Sequence, residues 1–439
     1  MHQKIRDSGI AGLLSVSAGI LVAASAGGWD ITNHLLNKPE SFFSPPHAVL
    51  YSGVGLVIVG GVLIHISRAN FRYQERQRMR TVLNANYVFS LPLSVKLIYL
   101  GITLLLSAGP FDYAWHSTFG LDGLLSPPHA LLTAGMALCS VGALIGILST
   151  NRGLEYGYQN NGTDSHIHKT RAFGTINFTA SNNSRKEIGH AKPYNKAVHH
   201  IFVIIGILPV WLTVSGLIHM ATLPFSDTPY FNFNPNPVVA VVIATICFPF
   251  LVSFILFSCF RFCVRQGCGT VNGPQSIKTN KVRLFGIMSL TGITFIAANI
   301  LTSILPNEYL IPTLPFYITN ILPLVGADLL LSKGPIFKQN HNSAGKGNNK
   351  VVNYLAGAIL GLSFFTLYFP LITHTYNEAL PNAGPVWPSL TSSIYFELIK
   401  EISLFTLAPA VIMGIFGVVI ASSILDPKER RKVMVQDLF

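Results

Sequence analysis

Ten stretches of about 20 predominantly apolar residues run through this chain, each long enough for a helix to cross a hydrocarbon core of roughly 30 Å. They fall at 8–28, 46–66, 88–109, 127–149, 198–220, 238–262, 283–304, 312–332, 353–373 and 402–424. A bilayer interior offers no water to backbone amides, so such segments fold as helices that close their own hydrogen bonds. The expected fold class is all-α: a polytopic membrane protein of about ten transmembrane helices. Only 11% of the residues are charged, against about 25% in soluble domains, which agrees. Asp30 and His34 follow the first stretch with no small-residue cleavage site, so that helix is expected to be retained.

The placement of charge sets the expected orientation. Of the 30 Lys and Arg residues, 27 lie before the first span, in the segments 67–87, 150–197, 261–283 and 333–352, and in the C-terminal tail, all on one side. The other side carries only Lys38 and Lys400, and Lys96 lies within the third span. The positive-inside rule then makes both termini cytoplasmic in a multi-pass protein of the cell membrane. The net charge of +12 reports this orientation, so the lipid bilayer is the expected partner and nucleic acid is not. Segment 150–197 is rich in Asn, Gly, Ser and Lys and reads as a flexible cytoplasmic linker. It divides a four-helix unit, 1–149, from a six-helix unit with a cytoplasmic tail, 198–439.

The four-helix unit contains a tandem repeat of two-helix units. Residues 27–53 and 109–135 align without gaps at an offset of 82. Asp30 matches Asp112, His34 matches His116, Glu40 matches Asp122, and Ser44-Pro45-Pro46-His47 matches Ser126-Pro127-Pro128-His129. Asp and His four residues apart share a helix face. The second His follows two prolines that suit the first turn of the next helix, so chain reversal brings it back toward the pair. Glu40 and Asp122 stand where they would orient a ligand imidazole. A carboxylate and two imidazoles form a transition-metal ligand set, suited by type to iron, zinc or copper. Ionisable groups at membrane depth are costly and usually functional, which favours metal over a hydrogen-bonded helix corner.

The segment Asp112-Tyr113-Ala114-Trp115-His116, with Asp122 and Ser126-Pro127-Pro128-His129 after it, resembles the metal-site segment of the C subunit of particulate methane and ammonia monooxygenases. The resemblance implies a copper site at Asp112, His116 and His129 with Asp122 beside it. By the same correspondence a second site has Asp30, His34 and His47, with Glu40 in place of the Asp and Asn33 in place of the Trp. It also implies copper-dependent hydroxylation of ammonia or a small apolar substrate, together with other membrane monooxygenase subunits.

His219 and His374 close the fifth and ninth spans on the same outer side and are further candidate ligands. Cys259, Cys263 and Cys268 cluster at the cytoplasmic end of the sixth span; Cys259 and Cys263 share a helix face, but no CxxC pairing supports zinc there. The chain has no phosphate-binding glycine loop, nucleophile elbow or HExxH motif, which leaves ATP-driven transport and ordinary hydrolysis without support. Two other functions fit the sequence: non-enzymatic acquisition or delivery of copper or zinc, and a structural membrane scaffold.

Overall fold

The computed structural model describes residues 2–35, 41, 43–78, 91–120, 125–160, 196–223, 235–267, 286–306, 308–333, 345–374 and 392–425. Among them there is helix and no strand, and ten helical segments are long and apolar enough to cross a membrane. The protein is all-α and polytopic. Much of its exterior is apolar, with Leu322, Phe405 and Val238 more than 60% exposed. Such a surface is a liability in water and is suited to hydrocarbon.

The first four helices are α1 (His2–Leu35), α2 (Pro45–Arg78), α3 (Leu93–Phe119) and α4 (Pro127–Asn160). They form two tight antiparallel pairs, α1 with α2 and α3 with α4, and α1 also packs on α4. Glycines let the paired backbones approach. A Cβ on Gly19 would meet the Gly53 carbonyl oxygen at 2.6 Å, and one on Gly53 would meet the Gly19 oxygen at 2.7 Å. At the same offset of 82, a Cβ on Gly101 would meet the Gly135 oxygen at 2.7 Å. The duplication therefore reaches about two turns below the motif, into the seam that fixes each pair. The third span runs from Leu93 through Pro110 to Phe119, beyond the apolar stretch that ends at 109, so Asp112 and His116 sit on the outer end of the spanning helix, as their spacing requires. On the other side α4 continues to Asn160, into the segment expected to be linker, while 161–195 lie outside the described residues.

Helix α5 (Lys196–Thr222) packs against α4 and α1, and α6 (Pro237–Gly267) packs against α5. After them come α7 (Ile287–Asn299), a π turn (Ile300–Ile304) and a 3-10 segment (Glu308–Thr313). The chain continues through α8 (Leu314–Thr319), α9 (Ile321–Lys333), α10 (Gly345–Gly361), α11 (Phe364–Leu367), α12 (Phe369–His374) and α13 (Ser392–Leu425). The eighth and ninth spans are thus interrupted helices. Broken helix at membrane depth requires its polar groups to be satisfied within the protein. Asn320, at the α8–α9 break, accepts a 2.7 Å hydrogen bond from Thr366 Oγ1 in α11. Two apolar clusters fill the interior, one built from α1–α4 and one from α5 onward.

Candidate metal centre

Asp112 and His116 occupy successive turns at the end of α3, and the local sequence explains why the helix stops just beyond them. Gly120 adopts φ 78° and ψ −167°, a conformation open in practice only to glycine. Its N–H donates to the His116 carbonyl at 2.9 Å, and its own carbonyl accepts from His116 Nδ1 at 3.0 Å. A carbonyl only accepts, so Nδ1 carries the proton and Nε2 keeps a lone pair in the neutral ring. That nitrogen lies 3.4 Å from Asp112 Oδ1. A backbone carbonyl that fixes the tautomer of an imidazole in this way is the usual second partner of a ligand histidine.

His129 arrives from the first turn of α4. Ser126 precedes Pro127, its side-chain oxygen 3.4 Å from the His129 amide and its carbonyl bonded to the Ala130 amide at 2.9 Å. Pro127 and Pro128 occupy positions whose amides would lack helical partners in any case. His129 Nε2 is 3.5 Å from Asp112 Oδ1, the His116 and His129 ring centroids are 6.0 Å apart, and His129 is buried. The three ligand atoms of Asp112, His116 and His129 lie within 4.8 Å of one another.

The donor set and spacing fit a transition metal. Bonds of about 2.1 Å to a tetrahedral ion place neighbouring ligand atoms about 3.4 Å apart. Both carboxylate–imidazole gaps match that edge, and both exceed a charge-assisted hydrogen bond of about 2.8 Å. Gly120→Ala is expected to cost about 1–3 kcal/mol in backbone strain. Because it displaces the carbonyl that holds His116, it should weaken the affinity of the cluster for a divalent transition metal by about 10–100-fold in a chelator competition. Gly109→Ala, where a Cβ meets nothing within 4 Å, is the matched control and should leave affinity unchanged.

The first repeat is related but not identical. His47 Nε2 lies 3.0 Å from Asp30 Oδ1, and His47 Nδ1 donates to the Ser41 carbonyl at 3.0 Å. Asp30 is only 5% exposed. Here the carbonyl fixes the second histidine of the motif, whereas in the other repeat it fixes the first. The residue equivalent to Gly120 is Lys38. His34 lies in α1 one turn beyond Asp30, but its side chain is outside the described residues, as are Glu40 and Asp122.

Tyr51 lies one turn after His47 on α2. Its ring centroid is 6.0 Å from that of His47, and it is within electrostatic reach of both Asp30 and Asp112. Nothing in the sequence pattern singles it out.

Of the two further histidine candidates, His219 lies apart from the cluster. The side of α5 facing α4 is taken by Thr213, 3.3 Å from Ser140, and by Gly216, which faces Thr133. His219 is turned into the core of the second unit, its ring 4.8 Å from Phe248 and 5.8 Å from Tyr368 by centroids. His374 ends α12, and its side chain lies outside the described residues.

Comparison with known protein families, curated proteins and solved structures returned no match.

Proposed function

We propose that this chain is an integral membrane metalloprotein that holds copper at Asp112, His116 and His129, with a related site at Asp30, His34 and His47. The observation that carries the reading is the convergence of one carboxylate and two imidazoles, from two helices, within 4.8 Å. The ligand types alone suit zinc or iron as well; the likeness of the motif to the copper monooxygenase C subunit favours copper. On that reading the chain is a subunit or paralogue of a copper membrane monooxygenase. Its termini are cytoplasmic and both sites are on the outer side of the cell membrane.

When bound, copper would supply one-electron redox chemistry toward dioxygen. The protein's own groups have definable tasks. Asp112 brings a negative charge that offsets the cation in a poorly solvated place. The Gly120 carbonyl keeps the proton of His116 on Nδ1 and off Nε2, and Ser126 with the two prolines sets the first turn of α4 so that His129 faces α3. The apolar helices around the cluster admit ammonia or a small hydrocarbon from the lipid side and limit water.

Metal analysis of the purified protein tests the reading. The wild type should carry copper that a His116→Ala/His129→Ala variant, purified in parallel and equally folded, has lost. Equal copper in both would sink it. Two ligand sets on one membrane face also favour a second reading, in which the chain captures copper or zinc and passes it on without catalysis. Metal uptake into vesicles that depends on His47 and His129 would select that reading, and turnover of ammonia or alkane without uptake would select the enzyme.

A further inference from the structure

A different ligand chemistry is gathered at the opposite membrane face. Helix α6 starts on the side of the Asp–His–His cluster and ends on the other, and near that end it carries Cys259 and Cys263. Both side chains are fully buried, and neither forms a disulfide. Four residues apart on a helix, their Cβ atoms are about 6 Å apart, too far for a disulfide without unwinding α6. The two thiols are in hydrogen-bonding contact, and Cys259 Sγ lies 3.8 Å from Thr291 Oγ1 on α7.

Cys259 also lies within electrostatic reach of Asp328. That carboxylate is already engaged: it accepts from the Met288 and Ser289 amides and the Ser289 hydroxyl. It is therefore not a further ligand. Among the described residues, the only group of three or more His, Cys, Asp or Glu side chains close enough to share an ion is the Asp112 cluster. The thiol pair thus offers two soft donors with no third His or carboxylate among those residues. Zinc sites of the structural kind demand four ligands, so the pair is a poor zinc site. A monovalent closed-shell ion is satisfied by two thiolates in line, and soft sulfur selects it.

We propose that Cys259 and Cys263 form a dithiolate site for a soft monovalent cation, Cu(I) or Ag(I), at the membrane face opposite the Asp–His–His cluster. Binding replaces two S–H bonds by two metal–sulfur bonds and releases two protons, with no change of oxidation state. The site goes from neutral to a single negative charge. The inference does not depend on the reading of the outer site, because no residue is shared.

The test uses the full-length protein in detergent with His34→Ala, His47→Ala, His116→Ala and His129→Ala all in place, so that neither outer ligand set contributes. Under anaerobic conditions it is titrated with Cu(I) against a chromophoric copper(I) chelator, and the bound metal is examined by X-ray absorption. The expected result is one strongly held Cu(I) with two sulfur neighbours, displaced by Ag(I) but not by excess Zn(II). Adding Cys259→Ser/Cys263→Ser should lower Cu(I) affinity at least 100-fold. A copper environment of nitrogen and oxygen only, or undiminished sulfur-bound copper in the serine variant, would overturn the proposal. Should the serine variant fail to fold, the sulfur count with the thiols intact and the Zn(II) competition decide the matter.

Discussion

Asp112→Asn should all but abolish metal binding at the second repeat while leaving the fold intact. The substitution keeps the shape of the side chain and removes its charge. Asp112 Oδ1 is the atom both imidazoles face, at 3.4 Å from His116 Nε2 and 3.5 Å from His129 Nε2. Two unit charges about 4 Å apart interact by about 4 kcal/mol at an effective dielectric constant of 20, and a divalent ion feels more. At about 1.4 kcal/mol per tenfold, copper affinity should fall on the order of 1,000-fold, measured by competition with a chelator of known strength. Stability supplies the internal control. Without metal, the variant no longer holds a carboxylate against the lone pair of His116, so after chelation it should melt no lower than the chelated wild type. With metal, the wild type gains about 4 kcal/mol at a thousandfold excess over the dissociation constant, and the variant gains almost none. An Asp112→Asn protein that binds copper as tightly as wild type would remove the carboxylate from the site. The parallel Asp30→Asn change should leave the Asp112 site untouched.

Much of this site is legible in the sequence because it is written in helical period. Asp112 and His116 are one turn apart, His129 follows a proline-marked helix start, and the offset of 82 repeats the pattern. Ten apolar runs likewise correspond one for one to the ten spans. What could not be read depends on backbone conformation or on which helices meet. Gly120 looks like any loop glycine until its φ of 78° is known, and only then does its carbonyl become the partner of His116. Gly19, Gly53, Gly101 and Gly135 stand at the repeat offset, but the seam they form depends on the closeness of the paired backbones. Tyr51 is one turn from His47, yet its reach to Asp112 depends on how the helix pairs associate. His219 shows the limit from the other direction. Being at the right end of a span says nothing about direction, and α5 turns it toward Phe248 and Tyr368. Hydropathy also ran short at α3, because the first polar residues ended the apolar window while the helix continued through Pro110.

Removing the Asp328 carboxylate should have the largest effect on stability, because this side chain on α9 caps a different helix. Helix α7 begins after Gly286, whose φ of 98° suits glycine and whose missing side chain cannot cap the helix. The first amides of a helix need acceptors, and in a membrane span water does not provide them. Asp328, fully buried, supplies both of its oxygens: Oδ1 accepts from the Met288 amide at 3.3 Å, and Oδ2 accepts from the Ser289 amide at 2.7 Å and the Ser289 hydroxyl at 2.6 Å. Its negative charge also sits at the positive end of the α7 dipole. Asp328→Ala leaves three buried donors without this acceptor, at a cost of about 3–5 kcal/mol. Ser289→Ala removes one donor together with its need, and should cost about 1 kcal/mol. Asp328→Asn is the sharper variant, since it keeps one acceptor oxygen but turns an amide group against a donor, so it should lie nearer Ala than wild type. Unfolding in mixed micelles, followed by the fluorescence of Trp211 stacked on Phe295 of α7, measures all three. A loss below 1 kcal/mol for Asp328→Ala would mean that α7 is held by its apolar packing alone, and that the buried charge is kept for some purpose other than joining α9 to α7.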